Sequence, residues 1–336
     1  MKILIDAMGG DHAPNEILRG AVLAADEFSD ISITLIGRTD AIAAAEKEAG
    51  LCLSEAGIGI IHAEDAVTME ENPLSVRTRK DCSVRRGCEL TAAGEYDAFV
   101  SAGNTGAVFT AASLFIGRIP GVQRGAIAAI LPFHSPLLLL DAGANVQLTP
   151  EQILTFALLG NEYAKNIFAI ESPRIGLLNI GTEEYKGAEL QKESYQLLRS
   201  RANLQFVGNV EGKGVPFGVC DVLVTDGFTG NILLKTIEGM GRYLGNEMKQ
   251  LLIGGSIRKL AAPVYMREAE RIKKSLDASE YGGAPILGIR KPLIKAHGSS
   301  MAYDIRSAVK QAIRYHESGM IAKLTEEMKK IQQSDG

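Results

Sequence analysis

Short, continuous apolar runs recur along the chain, and they constrain its fold more than any other feature of the sequence. Such runs occupy residues 3–5, 33–36, 98–100, 137–140 and 222–224, with glycine-rich turns and stretches of helical spacing between them. Runs without alternating polar residues are typical of strands buried on both faces, as in parallel sheets covered by helices. We therefore expect an α/β fold, with a mostly parallel sheet and helices on both faces.

The charge balance and composition describe an ordinary globular chain. Its 336 residues include 36 basic and 40 acidic side chains, which gives a formal net charge of −4. That balance excludes a broad basic surface for nucleic acid, and a hydrophobic fraction of 46% excludes a disordered chain. The sequence has no low-complexity linker and no internal repeat, so we expect a single domain over residues 1–336.

The cysteines and histidines do not form a recognisable disulfide or metal motif. The four cysteines contain no C-x-x-C pair, and the five histidines lie far apart in the sequence. Neither a disulfide framework nor a zinc site is indicated, and we expect no cofactor. Only three apolar residues separate Lys2 from Asp6, which is too few for a signal peptide. We therefore expect a cytoplasmic protein.

Glycine is enriched where the predicted strands end. It accounts for 36 of the 336 residues, and the first such turn, Asp6-Ala-Met-Gly-Gly-Asp11, follows the first strand directly. Glycines at the carboxyl ends of parallel strands let backbone N–H groups approach an anion closely. We take Asp6, Gly9, Gly10 and Asp11 as candidate site residues. The alternative is a capped turn, in which Asp11 is the N-cap of a helix and Asp6 forms a structural ion pair.

A second polar turn, Ser101-Ala-Gly-Asn-Thr-Gly-Ala107, lies between a predicted strand and a predicted helix. Unpaired N–H groups and the helix dipole attract an oxoanion to such a turn, and we favour phosphate. The turn lacks the G-x-x-x-x-G-K-[ST] and G-x-G-x-x-G patterns, which argues against ATP and dinucleotides. The alternative is a helix start capped by Asn104. The candidates here are Ser101, Gly103, Asn104, Thr105 and Gly106.

Three later strands are followed by loops of the same kind, at residues 141–145, 179–187 and 226–231. In the second of these loops a lysine would bring positive charge to an anion, and a glutamate three residues earlier would hold it in place. The third loop opens a long helix that carries another lysine. The candidates are Asn145, Gly181, Thr182, Glu183, Lys186, Asp226, Gly227, Asn231 and Lys235.

The segment Lys295-Ala-His-Gly-Ser-Ser300 precedes a predicted amphipathic helix and contains the histidine that we take as functional. We expect His297 to donate a hydrogen bond to an anion or to act as an acid or base near neutral pH. Gly298 would allow close access beside it. A G-x-S-x-G hydrolase motif is absent from the segment. The alternative is a histidine that caps the following helix.

Residues 237–276 are predicted to form a protruding helical hairpin of basic character. Residues 249–274 carry seven basic and two acidic side chains, a net charge of +5. This charge would attract an acidic protein, or the apolar tip would enter an anionic membrane surface. Burial in a dimer interface is equally consistent with the pattern. The candidate contacts are Leu251, Leu252, Ile253, Arg258, Lys259, Leu260 and Val264.

Six motifs together resemble those of the bacterial phosphate acyltransferase (PlsX) family, and they span nearly the whole chain. They are the segments 6–11, 101–107, 179–183, 226–231, 281–284 and 295–300. The resemblance implies the transfer of a long-chain acyl group from acyl carrier protein to inorganic phosphate, giving acyl phosphate for phospholipid synthesis. It also implies the fold of phosphotransacetylases and of isocitrate and isopropylmalate dehydrogenases, a homodimer, and a membrane acyltransferase that consumes the product.

The implied reaction fits the residues in the loops. Phosphate is a nucleophile near neutral pH and a thioester has a good leaving group, so no covalent enzyme intermediate is required. We hypothesise that the second turn holds phosphate while Lys186, Lys235 and His297 stabilise negative charge. Asp6 and Asp226 would orient these cations. No metal is required by this chemistry, and we expect the loops to meet in one pocket.

Two other functions are compatible with the same residues. A short-chain phosphotransacetylase that uses coenzyme A thioesters would need the same phosphate site. A non-catalytic anion-binding regulator would use the same loops, because a fold does not establish turnover. A decarboxylating dehydrogenase is disfavoured, since the sequence has neither a dinucleotide motif nor a pair of aspartates spaced for a divalent metal.

Overall fold

The chain divides into two compact units. The computed structural model describes residues 1–133, 135–253 and 282–334. Unit 1 comprises Met1–Ile127 with Tyr281–Gly336, and unit 2 comprises Ala128–Glu280. These are units of close packing within the chain, and the single domain expected over residues 1–336 stays a prediction.

Unit 1 is built on a sheet in which parallel pairing dominates. Its strands are β1 Lys2–Asp6, β2 Ser32–Gly37, β3 Gly59–His62, β4 Ala98–Ser101, β5 Ala126–Ile127, β11 Ala284–Leu287 and β12 Leu293–Lys295. Within the described residues the order is β3-β2-β1-β4-β12-β11-β5. The pairings from β3 to β12 are parallel, whereas β11 is antiparallel to both β12 and β5.

Unit 2 has a smaller sheet with the same parallel character. Its strands are β6 Ala129–Leu131, β7 Leu137–Leu140, β8 Arg174–Asn179, β9 Gln205–Glu211 and β10 Val222–Val224. In the described part of the unit they lie in the order β6-β7-β10-β8-β9, and only the β6–β7 pairing there is antiparallel. The central strand β10 therefore has parallel neighbours on both sides.

Helices lie on both sides of the sheets, as expected for an α/β fold. They are α1 Asn15–Glu27, α2 Thr39–Ala49, α3 Ser83–Ala93, α4 Thr105–Ala111, α5 Pro150–Ile167, α6 Glu189–Ser200, α7 Gly227–Ile253, α8 Ala302–Glu317 and α9 Met320–Ser334. Both α2 and α3 end at a glycine in the left-handed conformation, Gly50 and Gly94. Glycine is favoured there because it has no Cβ to clash with the backbone.

The continuous apolar runs are buried strands, which confirms the fold class predicted from them. Every residue of β4 and β7 is buried, and Ile3, Leu4 and Ile5 of β1 are at most 1% exposed. Such strands are covered on both faces and therefore show no polar alternation. The structure places them in two sheets, since an apolar run specifies a strand but does not specify which strands become its neighbours.

The last described stretch of the chain forms an amphipathic helix, α9. Met320, Leu324 and Met328 are buried, with at most 4% exposure. Their spacing of four residues places them on one face of the helix, which packs on the body of the protein.

The two helices that follow glycine-rich loops show how those loops end. α1 begins at Asn15, with Pro14 in the N-cap position, so Asp11 lies four residues before the helix and the alternative of an Asp11 cap is wrong. The long helix α7 begins at Gly227 and carries Lys235, as predicted for the loop at residues 226–231. Most of the predicted hairpin, residues 254–276, lies outside the described residues. None of the helices in the described ranges is long and apolar enough to span a membrane.

The packing of α3 on β4 gives a test of the fold. A Cβ added to Gly87 in α3 would lie 2.4 Å from the ring of Phe99, which is fully buried in β4. We expect Gly87→Ala to lower the free energy of unfolding by about 1–3 kcal/mol, because the core must shift to accept a methyl group. Denaturant unfolding measures this change.

The matched control is the same substitution at Gly239, an exposed position of α7 with no atom within 4 Å of an added Cβ. Gly239→Ala should stabilise the protein by about 0.5–1 kcal/mol, because alanine restricts the unfolded chain and favours the helix. Equal stabilisation by both substitutions would contradict the close packing of Gly87 on Phe99.

Candidate active site

Three polar loops lie at one edge of the unit 1 sheet. Loop 1 (residues 6–11) begins at the end of β1, loop 2 (101–106) at the end of β4 and loop 3 (295–300) at the end of β12. The three strands are adjacent and parallel, so their carboxyl ends lie together. Ligands of open α/β sheets bind at this edge. The structure thus brings together all of the candidate residues that belong to unit 1.

Asp6 joins loop 1 to loop 2. Its carboxylate accepts hydrogen bonds from the Ser101 hydroxyl at 2.7 Å and from the Met8 N–H at 3.1 Å. The Ser101 Oγ in turn accepts a hydrogen bond from the Gly103 N–H at 3.1 Å. Asp6 is 1% exposed and Ser101 is fully buried. A buried carboxylate therefore fixes the backbone of loop 2 through one serine hydroxyl.

The surroundings of Asp6 change its acidity. Burial raises the pKa of its carboxyl group above the ordinary value, while hydrogen bonds from Ser101 and Met8 and the positive charge of Lys295 act in the opposite direction. A raised pKa means that the folded state holds the proton more tightly than the unfolded chain does. The ionisation of Asp6 therefore opposes folding as the pH rises through the folded-state pKa.

Loops 1 and 2 touch through glycine backbone. A Cβ on Gly9 would lie 2.5 Å from the Gly103 nitrogen and 2.7 Å from a carboxylate oxygen of Asp6. Gly10 has a φ of +110°, in the region that favours glycine. The loop 1 glycines are therefore needed for packing against loop 2, in addition to any access that they give to an anion.

Loop 3 is bonded to both of its neighbours. The Ala296 N–H donates to the Ser101 carbonyl at 3.0 Å, and the Asp11 N–H donates to the Gly298 carbonyl at 2.8 Å. His297 is exposed, and its Nδ1 accepts a hydrogen bond from the Ser299 N–H at 3.2 Å. Because Nδ1 is an acceptor, a neutral His297 ring carries its proton on Nε2. Nε2 is then the donor of the ring.

Asn104 caps α4 and also fixes a second segment over it. Its side-chain oxygen accepts a hydrogen bond from the Ala107 N–H at 3.2 Å. Its Nδ2 lies 3.3, 3.1 and 3.2 Å from the carbonyl oxygens of Thr68, Met69 and Glu71. The alternative interpretation of Asn104, as the cap of the helix that follows it, is confirmed. The carbonyl contacts give Asn104 a further role, which is to hold residues 68–71 next to loop 2.

Three loops occupy the corresponding edge of the unit 2 sheet. Loop 4 (141–145) follows β7 and loop 5 (179–187) begins at the end of β8. Loop 6 (225–231), which includes the first residues of α7, follows β10. These strands are adjacent and parallel. Asp141 is fully buried, and its Oδ2 accepts hydrogen bonds from the Asn145 N–H at 2.6 Å and from Asn145 Nδ2 at 2.9 Å. The Gly227 N–H donates to the Asn145 carbonyl at 2.7 Å, which joins loops 4 and 6.

Loop 5 is held by two asparagines. Asn179 Nδ2 donates to the Lys186 carbonyl at 3.1 Å, and Asn209 Nδ2 donates to the Glu183 carbonyl at 2.8 Å. The Lys186 N–H also donates to the Glu183 carbonyl oxygen, at 3.1 Å. Glu183 therefore holds Lys186 through its backbone. The Lys186 ammonium group lies 5.7 Å from the centre of the Tyr185 ring, at a distance suited to a cation–π contact.

Loop 6 leads directly into α7. The carboxylate of Asp226 accepts hydrogen bonds from the Thr229 N–H at 2.8 Å and from the Thr229 hydroxyl at 2.7 Å, which caps the helix. Lys235 is on the same helix, half exposed, and forms an ion pair with Glu238 at 2.8 Å. Asp226 therefore caps α7, and the expectation that it also orients a lysine stays a prediction.

The predicted membrane or carrier-protein contacts lie largely outside the described residues. α7 ends at Ile253. The predicted contacts at Arg258, Lys259, Leu260 and Val264 fall in the undescribed range, as do the side chains of Leu251, Leu252 and Ile253. These contacts stay predictions.

Two buried charged residues were missed by sequence reasoning, Asp141 and Lys295. Each directly follows or ends an apolar strand, and each begins a motif whose later residues were selected instead. The signal that could have identified them is a charged residue at the end of a strand that is buried on both faces. In the described part of the chain, no three histidine, cysteine or acidic side chains lie close enough to share a metal ion.

The fold of the chain is that of the phosphotransacetylases. A phosphotransacetylase from Streptococcus pyogenes superposes with a TM-score of 0.61 at 16% identity, covering 94% of each chain. EutD phosphotransacetylase from Staphylococcus aureus gives a TM-score of 0.59 at 16% identity, covering 95% of this chain and 94% of that one. At such low identity the likeness establishes the fold alone, and it agrees with the fold implied by the sequence motifs.

Sequence comparison identifies the family. The family model described as "Fatty acid synthesis protein" matches residues 1–323. Relatives named phosphate acyltransferase from Geobacillus thermodenitrificans and Bacillus subtilis are 45% and 40% identical, over 98% of this chain and 99% and 98% of their own. The chain therefore belongs to the phosphate acyltransferase (PlsX) family, and it is an acyltransferase of fatty acid and lipid synthesis. The resemblance found in the motifs is confirmed.

The contacts of Asn104 predict that Asn104→Asp will loosen residues 68–71. The carboxylate would keep the cap on α4 but would face three carbonyl oxygens that now accept from an amide. We expect a loss of about 1–3 kcal/mol in the stability of this segment, because buried acceptors lose their donor. Hydrogen–deuterium exchange of the segment's amides measures the loss.

Asn72→Asp is the control, because Asn72 uses its oxygen to accept from the Leu74 N–H at 2.9 Å, a role that a carboxylate retains. Exchange in residues 68–71 should be unchanged in that variant. Equal exchange in Asn104→Asp and wild type would contradict the role assigned to the amide.

Proposed function

We propose that this acyltransferase transfers a long-chain fatty acyl group from acyl carrier protein to inorganic phosphate, giving acyl phosphate. The observation that carries the proposal is the set of three hydrogen-bonded, glycine-containing loops at one sheet edge of unit 1, in a chain that matches phosphate acyltransferases over nearly its full length. Such loops suit a small oxoanion, because they present backbone N–H groups and little side-chain bulk.

Phosphate is proposed to bind at loops 1, 2 and 3. The amide groups of loop 2 and the Nε2–H of His297 are donors suited to its oxygens. Gly9 and Gly10 leave room for the close approach, while Ser101 and Asn104 act by holding the loop backbone in place. The binding residues proposed in unit 1 are Gly9, Gly10, Asp11, Ser101, Gly103, Asn104, Thr105, Gly106 and Gly298.

The proposed chemical step is a direct displacement at a thioester. A phosphate oxygen attacks the carbonyl carbon, a C–O bond forms, and the C–S bond breaks as the tetrahedral intermediate collapses. The electron pair leaves on sulfur, and the thiolate takes up the proton that the attacking hydrogen phosphate releases, which gives the thiol of the carrier. The enzyme contributes mainly by positioning phosphate and stabilising the oxyanion.

The sequence motifs assign further roles in the reaction to charged residues of unit 2. Lys186 and Lys235 would stabilise negative charge, and Asp226 fixes the start of the helix that carries Lys235. Asp6 would orient donors in unit 1. The polar residues that we assign to substrate contact in unit 2 are Asn145, Gly181, Thr182, Glu183, Gly227 and Asn231.

The acyl donor is proposed to be acyl carrier protein because the motif resemblance implies it, and the charge of residues 249–274 agrees with an acidic partner. Their net charge of +5 would attract an acidic carrier or an anionic membrane surface. We propose a cytoplasmic homodimer that contacts the membrane peripherally and passes its product to a membrane acyltransferase. Acyl phosphate is reactive, so a short distance to that second enzyme would limit its hydrolysis.

A second candidate follows from the structural neighbours. Solved structures that share the fold are named phosphotransacetylases, so the same loops would also suit a short-chain acyl group carried by coenzyme A. The two functions need the same phosphate site and differ in the thiol that leaves. The choice of thioester therefore separates them.

Thiol release from palmitoyl–acyl carrier protein, measured with and without inorganic phosphate, tests the proposal. We expect release that depends on phosphate, with stoichiometric acyl phosphate detected as its hydroxamate. A preference for acetyl-coenzyme A would favour the phosphotransacetylase function. Phosphate binding without thiol release from either donor would favour a regulator and would contradict our proposal.

The role of Lys186 is tested in the same assay. Lys186→Met should lower kcat/KM by about 10²-fold, because a positioned charge that stabilises an oxyanion is lost. Lys192→Met, at an exposed position of α6 in the same unit, is the matched control and should retain wild-type kinetics. Equal rates in the two variants would remove Lys186 from the proposed site.

A further inference from the structure

Lys295 is a buried lysine among the loops of unit 1. It ends β12, pairs in register with Ser101 at the end of β4, and is only 6% exposed. Lysine is almost never buried to this extent without polar partners. Moving an ammonium group out of water is costly, and an apolar side chain of similar size would often give equal or greater stability. A structural role alone therefore gives a poor account of this residue.

The partners of Lys295 belong to the candidate phosphate loops. Its Nζ donates hydrogen bonds to the carbonyl of Ala102 in loop 2, at 3.2 Å, and to the carbonyl of Ala296 in loop 3. Because Nζ is buried, both carbonyl oxygens face the interior. Carbonyl oxygens carry partial negative charge and repel an anion, so this orientation makes the outer side of the loops more favourable for phosphate.

Asp6 supplies the opposite charge nearby. Asp6, Ser101 and Lys295 end three adjacent strands, and the charge of Lys295 lowers the pKa of the Asp6 carboxyl group against the raising effect of burial. The Ser101 hydroxyl donates to that carboxylate at 2.7 Å. Lys295 and Asp6 therefore interact electrostatically on either side of Ser101.

We propose that Lys295 is a positioning residue for phosphate, which holds the carbonyls of Ala102 and Ala296 away from the anion and places positive charge beneath loop 2. The inference rests on the phosphate site proposed above and deepens it. Because Lys295 acts through the loop backbone, its removal should weaken phosphate binding more than it slows transfer from bound phosphate.

The test is the binding of inorganic phosphate alone, by calorimetry and by the rise in Tm with phosphate concentration. Lys295→Met should weaken phosphate binding about tenfold or more, because it removes a charge and leaves two carbonyls unpaired. Its kcat at saturating phosphate should stay within about threefold of wild type. Lys47→Met, at an exposed position of α2 in the same unit, should bind phosphate as wild type does.

Asp6→Asn separates the proposal from a purely structural role. This variant leaves one acceptor oxygen for the Ser101 hydroxyl and the Met8 N–H together, but it keeps the Lys295 charge, so at an equal loss of stability phosphate should bind more tightly than in Lys295→Met. If Lys295 and Asp6 only stabilise the fold, both variants should weaken phosphate binding in proportion to their loss of stability. That parallel loss would overturn the proposal, as would unchanged phosphate binding in Lys295→Met.

The double variant Asp6→Asn, Lys295→Met keeps the test valid if Lys295→Met does not fold. It removes both buried charges, which a protein tolerates better than one unpaired charge. We expect it to fold and to bind phosphate about tenfold less tightly than Asp6→Asn; equal binding by these two variants would overturn the proposal. Failure of the acyl carrier protein reaction with intact, Lys295-dependent phosphate binding would contradict the proposed function alone.

Discussion

The candidate site depends on the parallel pairing of β1, β4 and β12. Parallel neighbours end at the same edge of a sheet, so the residues that follow them are brought together whatever their separation in the sequence. Asp6 and Ser101 are 95 positions apart and share a hydrogen bond of 2.7 Å. Without that pairing the backbones of loops 1 and 2 would not meet, and the buried carboxylate would lose the Ser101 donor.

Both units use a buried carboxylate to shape a loop at a strand end. Asp6 accepts from the Met8 N–H and the Ser101 hydroxyl in unit 1, and Asp141 accepts from the backbone and side chain of Asn145 in unit 2. An aspartate that is bonded in this way makes a turn rigid without placing a bulky side chain at its surface. The glycines around it then set how closely another backbone can approach, as Gly9 does against Gly103.

The sequence was sufficient to predict the strands and the helix cap at Asn104, because each depends on local pattern. A continuous apolar run has few alternatives to a doubly covered strand, and asparagine before a helix is a common cap. The partners of Lys295 were not accessible in this way, since its contact with Ala102 spans 193 positions and depends on strand order. For the same reason the sequence did not separate one sheet from two. The alternative of Asp11 as the cap of α1 was wrong for a local reason, because Pro14 occupies the cap position.

The three carbonyl contacts of Asn104 have an evolutionary consequence. A carbonyl oxygen is common to every amino acid, so the amide recognises the path of residues 68–71 and imposes no requirement on their side chains. Substitutions should therefore accumulate on the segment's side of this contact more readily than at Asn104 itself. Homologues would then keep asparagine at position 104 while the side chains of residues 68–71 vary. A search for paired substitutions would not detect this contact, because only one side of it is constrained.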